Sequence, residues 1–182
     1  TFSFYANKHV TTGEGGMILT DSEELSKKAK KIRNLDFDSN KRFWHESLFW
    51  NYRLGGLQAA LGISQLSNLG STIDFKINQG NYYSNIFKNF DELVYLPKIK
   101  HENIQNHYWV YGLVLKKEGI REKVTDKLFE NNIETRPFFY PLHLQPALPE
   151  KFKSNFDLSK SEYIGNNGFY IPMGKHISKT LQ

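Results

Sequence analysis

The stretch SFYANKHVTTGEGGMILTD, residues 3–21, decides how this chain is read. The aromatic, apolar run from Phe2 to Ala6 reads as a short buried strand, and Lys8 follows it at once. Gly13, Gly15 and Gly16 mark a turn, because glycine reaches positive φ without steric cost. Met17 to Thr20 reads as a second strand, so the stretch is a strand-turn-strand unit. A cation at the end of a buried strand is costly. Either Lys8 swings out to solvent, or its amine is kept neutral and reactive, since burial lowers a lysine pKa toward the free base that attacks an aldehyde. Taken alone, Lys8 reads as a surface lysine at a strand exit. Ser3, five residues earlier, offers a hydroxyl to a phosphate.

Outward from this unit, Asp21 or Ser22 caps a helix that runs to about Asn34, with Glu23 and Glu24 in its first turn, where the helix dipole favours carboxylates. Residues 36–54 are polar and aromatic without a period and hold two of the three tryptophans. A long loop of this kind in a compact domain is functional or packs against a partner. Within it, Asn51 and Arg53 stand just before a helix start, which suits an anion; an arginine paired with a local carboxylate is the plainer reading. Leu57, Ala60, Leu61, Ser64, Gln65 and Leu69 recur at helical spacing and begin a long helix, continued by Ile73, Ile77 and residues 82–90, with Gly70 and Gly80 as bend points.

Pro97 and the polar residues up to Asn106 mark a boundary. His107 to Leu115 reads as a strand, Ile120 to Asn131 as a helix, and Ile133 to Thr135 as a short strand ended by Pro137. Residues 137–149 carry four prolines and read as an irregular loop. A helix over Phe156 to Asn166 and a strand over Phe169 to Ile171 close the chain. The fold class is α/β in three parts: residues 1–56, a linking helix over 57–90, and a small α+β domain over 91–182.

Composition narrows the chemistry. No apolar run approaches the ~20 residues of a membrane-spanning helix. The chain has no cysteine, which removes disulfides and thiolate metal sites and fits a cytoplasmic protein. The six histidines form no i, i+4 pair and no H-E-x-x-H, so no metal site is expected. There is no G-x-S-x-G elbow, and the GEGG turn is neither a dinucleotide fingerprint nor a nucleotide phosphate loop. The net charge of +5 gathers partly in Lys27, Lys28, Lys30, Lys31 and Arg33, which read as a solvated helix face rather than a nucleic-acid stripe.

Residues 3–21 closely resemble the Schiff-base lysine segment of the DegT/DnrJ-type sugar aminotransferases, fold type I enzymes that use pyridoxal 5′-phosphate (PLP). Four further stretches resemble the same family in the same order: WHESLFWNYRLGGLQAALGISQL (44–66), HYWVYGLVL (107–115), IETRPFFYPLHLQPAL (133–148) and GFYIPMG (168–174). The tryptophan-histidine pair and the TRPFFYPLH loop look most like perosamine-synthase-like members, which aminate a nucleotide-linked 4-keto-6-deoxy sugar. The resemblance implies that residues 1–56 are the tail of a fold type I large domain. It implies that Lys8 is the catalytic lysine bonded to the cofactor, and then a proton shuttle. Ser3 binds the cofactor phosphate, and Asn51 reaches the same phosphate from the other subunit of a homodimer with shared active sites. Arg53 holds the Asn51 loop and, with His143, is assigned to the substrate side. The amino donor implied is glutamate.

Family members are about twice as long, so the chain reads as a C-terminal half. The absent half would hold a glycine-rich phosphate turn, an aromatic stacked on the pyridine and an aspartate at its ring nitrogen. Phe49-Trp50 is bulkier than the Gly-Tyr usual before the asparagine. A dehydratase branch carries histidine in place of the lysine, and Lys8 argues against that branch. Two other readings remain. The chain is a truncated or degenerate, non-catalytic dimerisation or partner module, or it is a basic nucleic-acid-binding module, a reading that rests on net charge alone.

Overall fold

The computed structural model describes residues 1–37, 40–41, 43–150 and 156–177. Residues 38, 39 and 42 of the expected 36–54 loop, and 151–155 and 178–182 of the expected C-terminal domain, lie outside the described residues. The chain divides into two compact units, Thr1–Thr72 and Ile73–Gln182.

In the first unit, β1 (Phe2–Ser3) pairs antiparallel with β2 (Gly16–Met17), Phe2 opposite Met17 and Ser3 opposite Gly16. The strands are shorter than expected, and β1 and β2 are exposed rather than buried. The Ser3 hydroxyl accepts from the Tyr5 N–H at 3.3 Å, and this local bond turns the chain out of the ladder. Helix α1 (Glu23–Arg33) follows the dipole rule: Ser22 Oγ accepts from Leu25 N–H, acids fill the first turn, and Lys30, Lys31 and Arg33 fill the last. Helix α2 (Gly56–Ser67) starts at Gly55, whose N–H donates to Gln58 Oε1 at 3.0 Å.

The helical run expected over 57–90 is interrupted at Asn68, where α3 (Leu69–Phe87) takes over. The interruption is not at Gly70 or Gly80. Ser67 Oγ and Asn68 Nδ2 both donate to the Ser64 carbonyl, and such side-chain bonds compete with the helix ladder.

The second unit carries a four-stranded antiparallel sheet in the order β3 (Val94–Tyr95), β6 (Tyr111–Leu115), β8 (Gly168–Ile171), β7 (Arg136–Pro137). A separate hairpin joins β4 (Lys100–His101) to β5 (Ile104–Gln105). Helices α4 (Arg121–Glu130) and α5 (Ser159–Asn167) complete the unit. Tyr111, Leu113 and Leu115 alternate into the core and meet Phe169 and Ile171 of β8, as strand period two requires. Within this unit α3 packs on that face. Tyr83 meets the Tyr111 ring at 5.2 Å and donates to the Pro172 carbonyl, while Gln79 exchanges hydrogen bonds with Gly174. Gly80 is needed because a Cβ there would lie 2.5 Å from the Tyr108 ring. The opposite face carries stacked aromatics: Trp109 on Phe139 at 5.7 Å and Phe139 on Tyr170 at 6.3 Å.

Candidate functional site

Lys8 does not stand at a strand end. It lies past a tight turn in which its N–H donates to the Tyr5 carbonyl at 3.0 Å. The following segment is tied back to the strand exit: Thr12 N–H and Thr11 Oγ1 both donate to the Phe4 carbonyl, and Phe4 N–H donates to Gly15. Gly13 (φ 78°) and Gly15 (φ 143°) supply the backbone that closes this loop. Thr12 is buried, and its hydroxyl donates to the Glu14 carbonyl at 2.6 Å. Lys8 is therefore carried on a loop tied back to the strand exit by its own backbone bonds. Its side chain is half-buried, and desolvation lowers its pKa from the ordinary lysine value. That direction favours the neutral amine a nucleophile needs.

Ser3 is exposed on β1, and its hydroxyl accepts from Tyr5 N–H. The hydroxyl hydrogen remains as a donor. Ser3 and Lys8 are thus borne by the same strand-and-loop segment.

The structure brings Asn51 and Arg53 together. Asn51 Oδ1 accepts from Arg53 N–H at 3.2 Å and from Arg53 Nε at 3.1 Å. Arg53 Nη1 donates to Asn34 Oδ1 at 3.1 Å. Among the described residues Arg53 pairs with amide oxygens and no carboxylate, which differs from the plainer expectation. The consequence is chemical. With its oxygen held by the guanidinium, Asn51 has its NH2 group left to donate, and an NH2 donor is what a phosphate oxygen accepts.

This segment lies against the end of α1. Asn34 and Asn51 form an antiparallel bridge, Tyr52 N–H donates to the Arg33 carbonyl at 2.9 Å, and Leu35 N–H donates to the Trp50 carbonyl at 3.3 Å. The connecting turn is strained, with Leu35 at φ 60° and Asp36 at φ 55°. A non-glycine residue in this region costs roughly 1–3 kcal/mol, and such strain persists only where the surroundings over-determine it. His45 Nδ1 lies 2.7 Å from the Leu35 carbonyl, so this nitrogen carries the hydrogen.

His143 belongs to the second unit, in a 3-10 turn at Leu142–Leu144. Its Nε2 lies 2.9 Å from Glu162 Oε1, which ties the proline-rich loop to α5. Sequence reasoning missed Asn34, Asp36, Thr12 and Glu162. Only Asn34, at the expected helix end, carried a local signal. Thr12 bonds locally to Glu14, while Asp36 and Glu162 matter through bonds to residues that no spacing rule connects. No helix among the described residues is long and apolar enough to cross a membrane, and none of their His, Asp and Glu side chains gather as a metal site.

The profile of the DegT/DnrJ/EryC1/StrS aminotransferase family matches residues 1–182. A GDP-perosamine synthase of Vibrio cholerae is 35% identical over 178 residues, covering 94% of this chain and 46% of that protein. A GDP-perosamine synthase of Escherichia coli O157:H7 is 31% identical over 178 residues, covering 98% of this chain and 47% of that protein. Among solved structures, S. venezuelae DesV in complex with a ketimine intermediate superposes with a TM-score of 0.84 at 23% identity, covering 99% of this chain and 47% of that one, which shows a shared fold. The chain spans about half the length of the curated relatives it matches. With a match over its whole length, the chain belongs to the DegT/DnrJ/EryC1/StrS aminotransferase family.

Proposed function

We propose that this chain supplies the C-terminal half of a PLP-dependent aminotransferase that moves an amino group from glutamate to a nucleotide-linked 4-keto-6-deoxy sugar. The observation that carries the reading is Lys8, a partly buried residue whose pKa desolvation lowers, on a loop tied back to the strand exit by its own backbone bonds. The donor set fits the cofactor: one amine for its aldehyde, and hydroxyl and amide donors for its phosphate. The two relatives named GDP-perosamine synthase point to a GDP-linked sugar as the substrate class.

Bound PLP supplies an electron sink, because its protonated ring delocalises the charge left when a Cα proton departs. The residues of this chain do the rest. Lys8 Nζ would hold the cofactor at its aldehyde carbon, the aldehyde oxygen leaving as water. Freed when the donor's amine takes its place, the Lys8 amine would carry the Cα proton of the donor to the cofactor and, in the second half-reaction, carry one back to C4 of the sugar. Ser3 Oγ–H and the Asn51 NH2 group would donate to the phosphate, Asn51 acting on the site of the partner subunit. Arg53 serves as the brace of Asn51, and His143 with Glu162 shapes a loop at the sugar end. The ring-nitrogen aspartate and the stacking aromatic belong to the other half of the enzyme.

The first unit leaves apolar side chains to be covered by the other half of the enzyme and the partner subunit of a homodimer: Leu48, Leu57, Ile63 and Trp50 are 100%, 90%, 73% and 71% exposed in this chain. The test is the visible absorbance of lysine-bound pyridoxal in the full-length protein. It is expected in the parent and lost in Lys8→Ala, and persistence after that substitution overturns the reading. A second reading is favoured by the contrast between the units, since the second has a core of its own. In that reading the 182-residue chain alone is a non-catalytic pairing module. Tight, stoichiometric PLP binding by the chain without a partner would contradict it.

A further inference from the structure

The Asn51 segment is built on the C-terminal cap of α1. The helix ends with Asp36 N–H bonded back to the Lys31 carbonyl at 3.0 Å, and the intervening Leu35 takes φ 60°. This is the bond pattern of a Schellman cap, whose left-handed position glycine normally fills. In that pattern the N–H of the left-handed residue usually returns to its own helix. Here Leu35 N–H reaches across to the Trp50 carbonyl instead, next to Asn51. The Asn34–Asn51 bridge and the Arg53–Asn34 bond continue the pairing.

The second unusual feature is Asp36. It is 4% exposed and also left-handed, at φ 55°. Its Oδ1 lies 3.5 Å from Lys31 Nζ, and its buried Oδ2 has no hydrogen-bond partner among the described residues. A Schellman cap usually joins these two positions by an apolar contact. A helix that only had to stop would use glycine at residue 35 and an apolar side chain at residue 36. This chain instead buries a carboxylate against a lysine, a poor way to gain stability. Lys31 also reaches Glu46 Oε2 at 3.4 Å, so one ammonium ties the helix end to both the turn and the loop that follows.

We propose that Asp36 and Lys31 are positioning residues for the Asn51 amide: the charged cap of α1 fixes the left-handed turn at residues 35–36, and that turn sets where Asn51 presents its NH2 group to an anion. The proposal rests on the reading of Asn51 as a phosphate ligand. A ligand amide held to a fraction of an ångström needs a rigid support, and a strained turn locked by an ion pair is one.

The test uses the full-length protein and two probes, PLP and pyridoxal, which lacks the phosphate. Dissociation constants are measured by quenching of intrinsic fluorescence for Asp36→Asn, Lys31→Met, Asn51→Ala and the two double variants with Asn51→Ala. Asparagine is isosteric and tolerates positive φ, so Asp36→Asn removes the charge and little else. Each cap variant is expected to weaken PLP by about tenfold while leaving pyridoxal unchanged. Each double variant is expected to bind PLP no more weakly than Asn51→Ala alone, since the cap acts through that amide. Equal weakening of both probes, or additive losses in the doubles, overturns the proposal. Unchanged PLP binding by the cap variants, with weakening by Asn51→Ala, overturns it and leaves the phosphate reading standing. Unchanged binding by Asn51→Ala removes both. Should Asp36→Asn fail to fold, Lys31→Met carries the test, because the lysine side chain is 59% exposed.

Discussion

The two units of this chain bury different things. The second unit encloses Tyr83, Val94, Tyr108, Tyr111, Leu113, Leu115, Phe169 and Ile171 in one cluster. In the first, the buried residues among those described are Thr12 and Asp36, both polar, while Leu57, Ile63 and Leu48 stand in solvent. Within this chain, the second unit is thus held by apolar burial and the first by hydrogen bonds within loops. The residues proposed for the cofactor, Ser3, Lys8 and Asn51, all belong to the first. Chemistry-bearing loops are commonly drawn from the less stable part of a fold.

The largest effect that sharpens this contrast is in the core. Phe169→Ala is expected to cost about 3–5 kcal/mol in thermal or denaturant unfolding of the chain, because it empties a close-packed site. Leu57→Ser and Ile63→Ser are expected to change the stability of the same chain by less than about 0.5 kcal/mol. In the full-length protein those two substitutions should instead weaken subunit association, read by sedimentation. A large loss of stability from Leu57→Ser in the isolated chain would break the comparison.

Next comes Gly80→Ala. The added methyl meets the buried Tyr108 ring at 2.5 Å, and overpacking of this kind is expected to cost about 1–3 kcal/mol. A neutral result would mean that Tyr108 moves freely. In the first unit the sign reverses. Leu35→Gly removes left-handed strain of about 1–2 kcal/mol and adds about 0.5–1 kcal/mol of unfolded-chain entropy, so a net gain of about 0.5 kcal/mol is expected. A loss there would show that the turn is not strained.

The smallest effect concerns Lys76, part-buried on α3, whose Nζ donates to the Trp109 carbonyl at 3.5 Å. Desolvation lowers its pKa from 10.5. The folded state therefore releases this proton more readily than the unfolded chain. The cost is present in full below the folded pKa and falls away as pH rises toward the ordinary lysine value. Lys76→Met should raise the melting temperature by about 2 °C near neutral pH, with the gain fading at high pH. A gain independent of pH would assign the effect to packing.

Legibility in the sequence followed the same division. The cap and the acidic first turn of α1 were readable because Ser22, Glu23 and Glu24 act within one helix; the basic last turn was read only as a solvated face. The strand expected over His107 to Leu115 is regular only over Tyr111–Leu115, because Tyr108 takes φ 49° and its N–H goes to Asn106 Oδ1. The β4–β5 hairpin was not legible: three of its four strand residues, Lys100, His101 and Gln105, are polar, and the chain turns through Glu102 at φ 52°. In the candidate site, Lys8 and Asn51 stood out through family resemblance rather than spacing. Asp36 could not be found that way, since its role depends on a left-handed turn that a leucine-aspartate pair does not announce.

The central claim is that Lys8 Nζ bonds covalently to PLP. Borohydride reduction of the full-length protein with PLP, followed by peptide mapping, tests it most directly. The account predicts a pyridoxyl group on Lys8, absent in Lys8→Ala. A pyridoxyl group on another lysine, or on none, would contradict it.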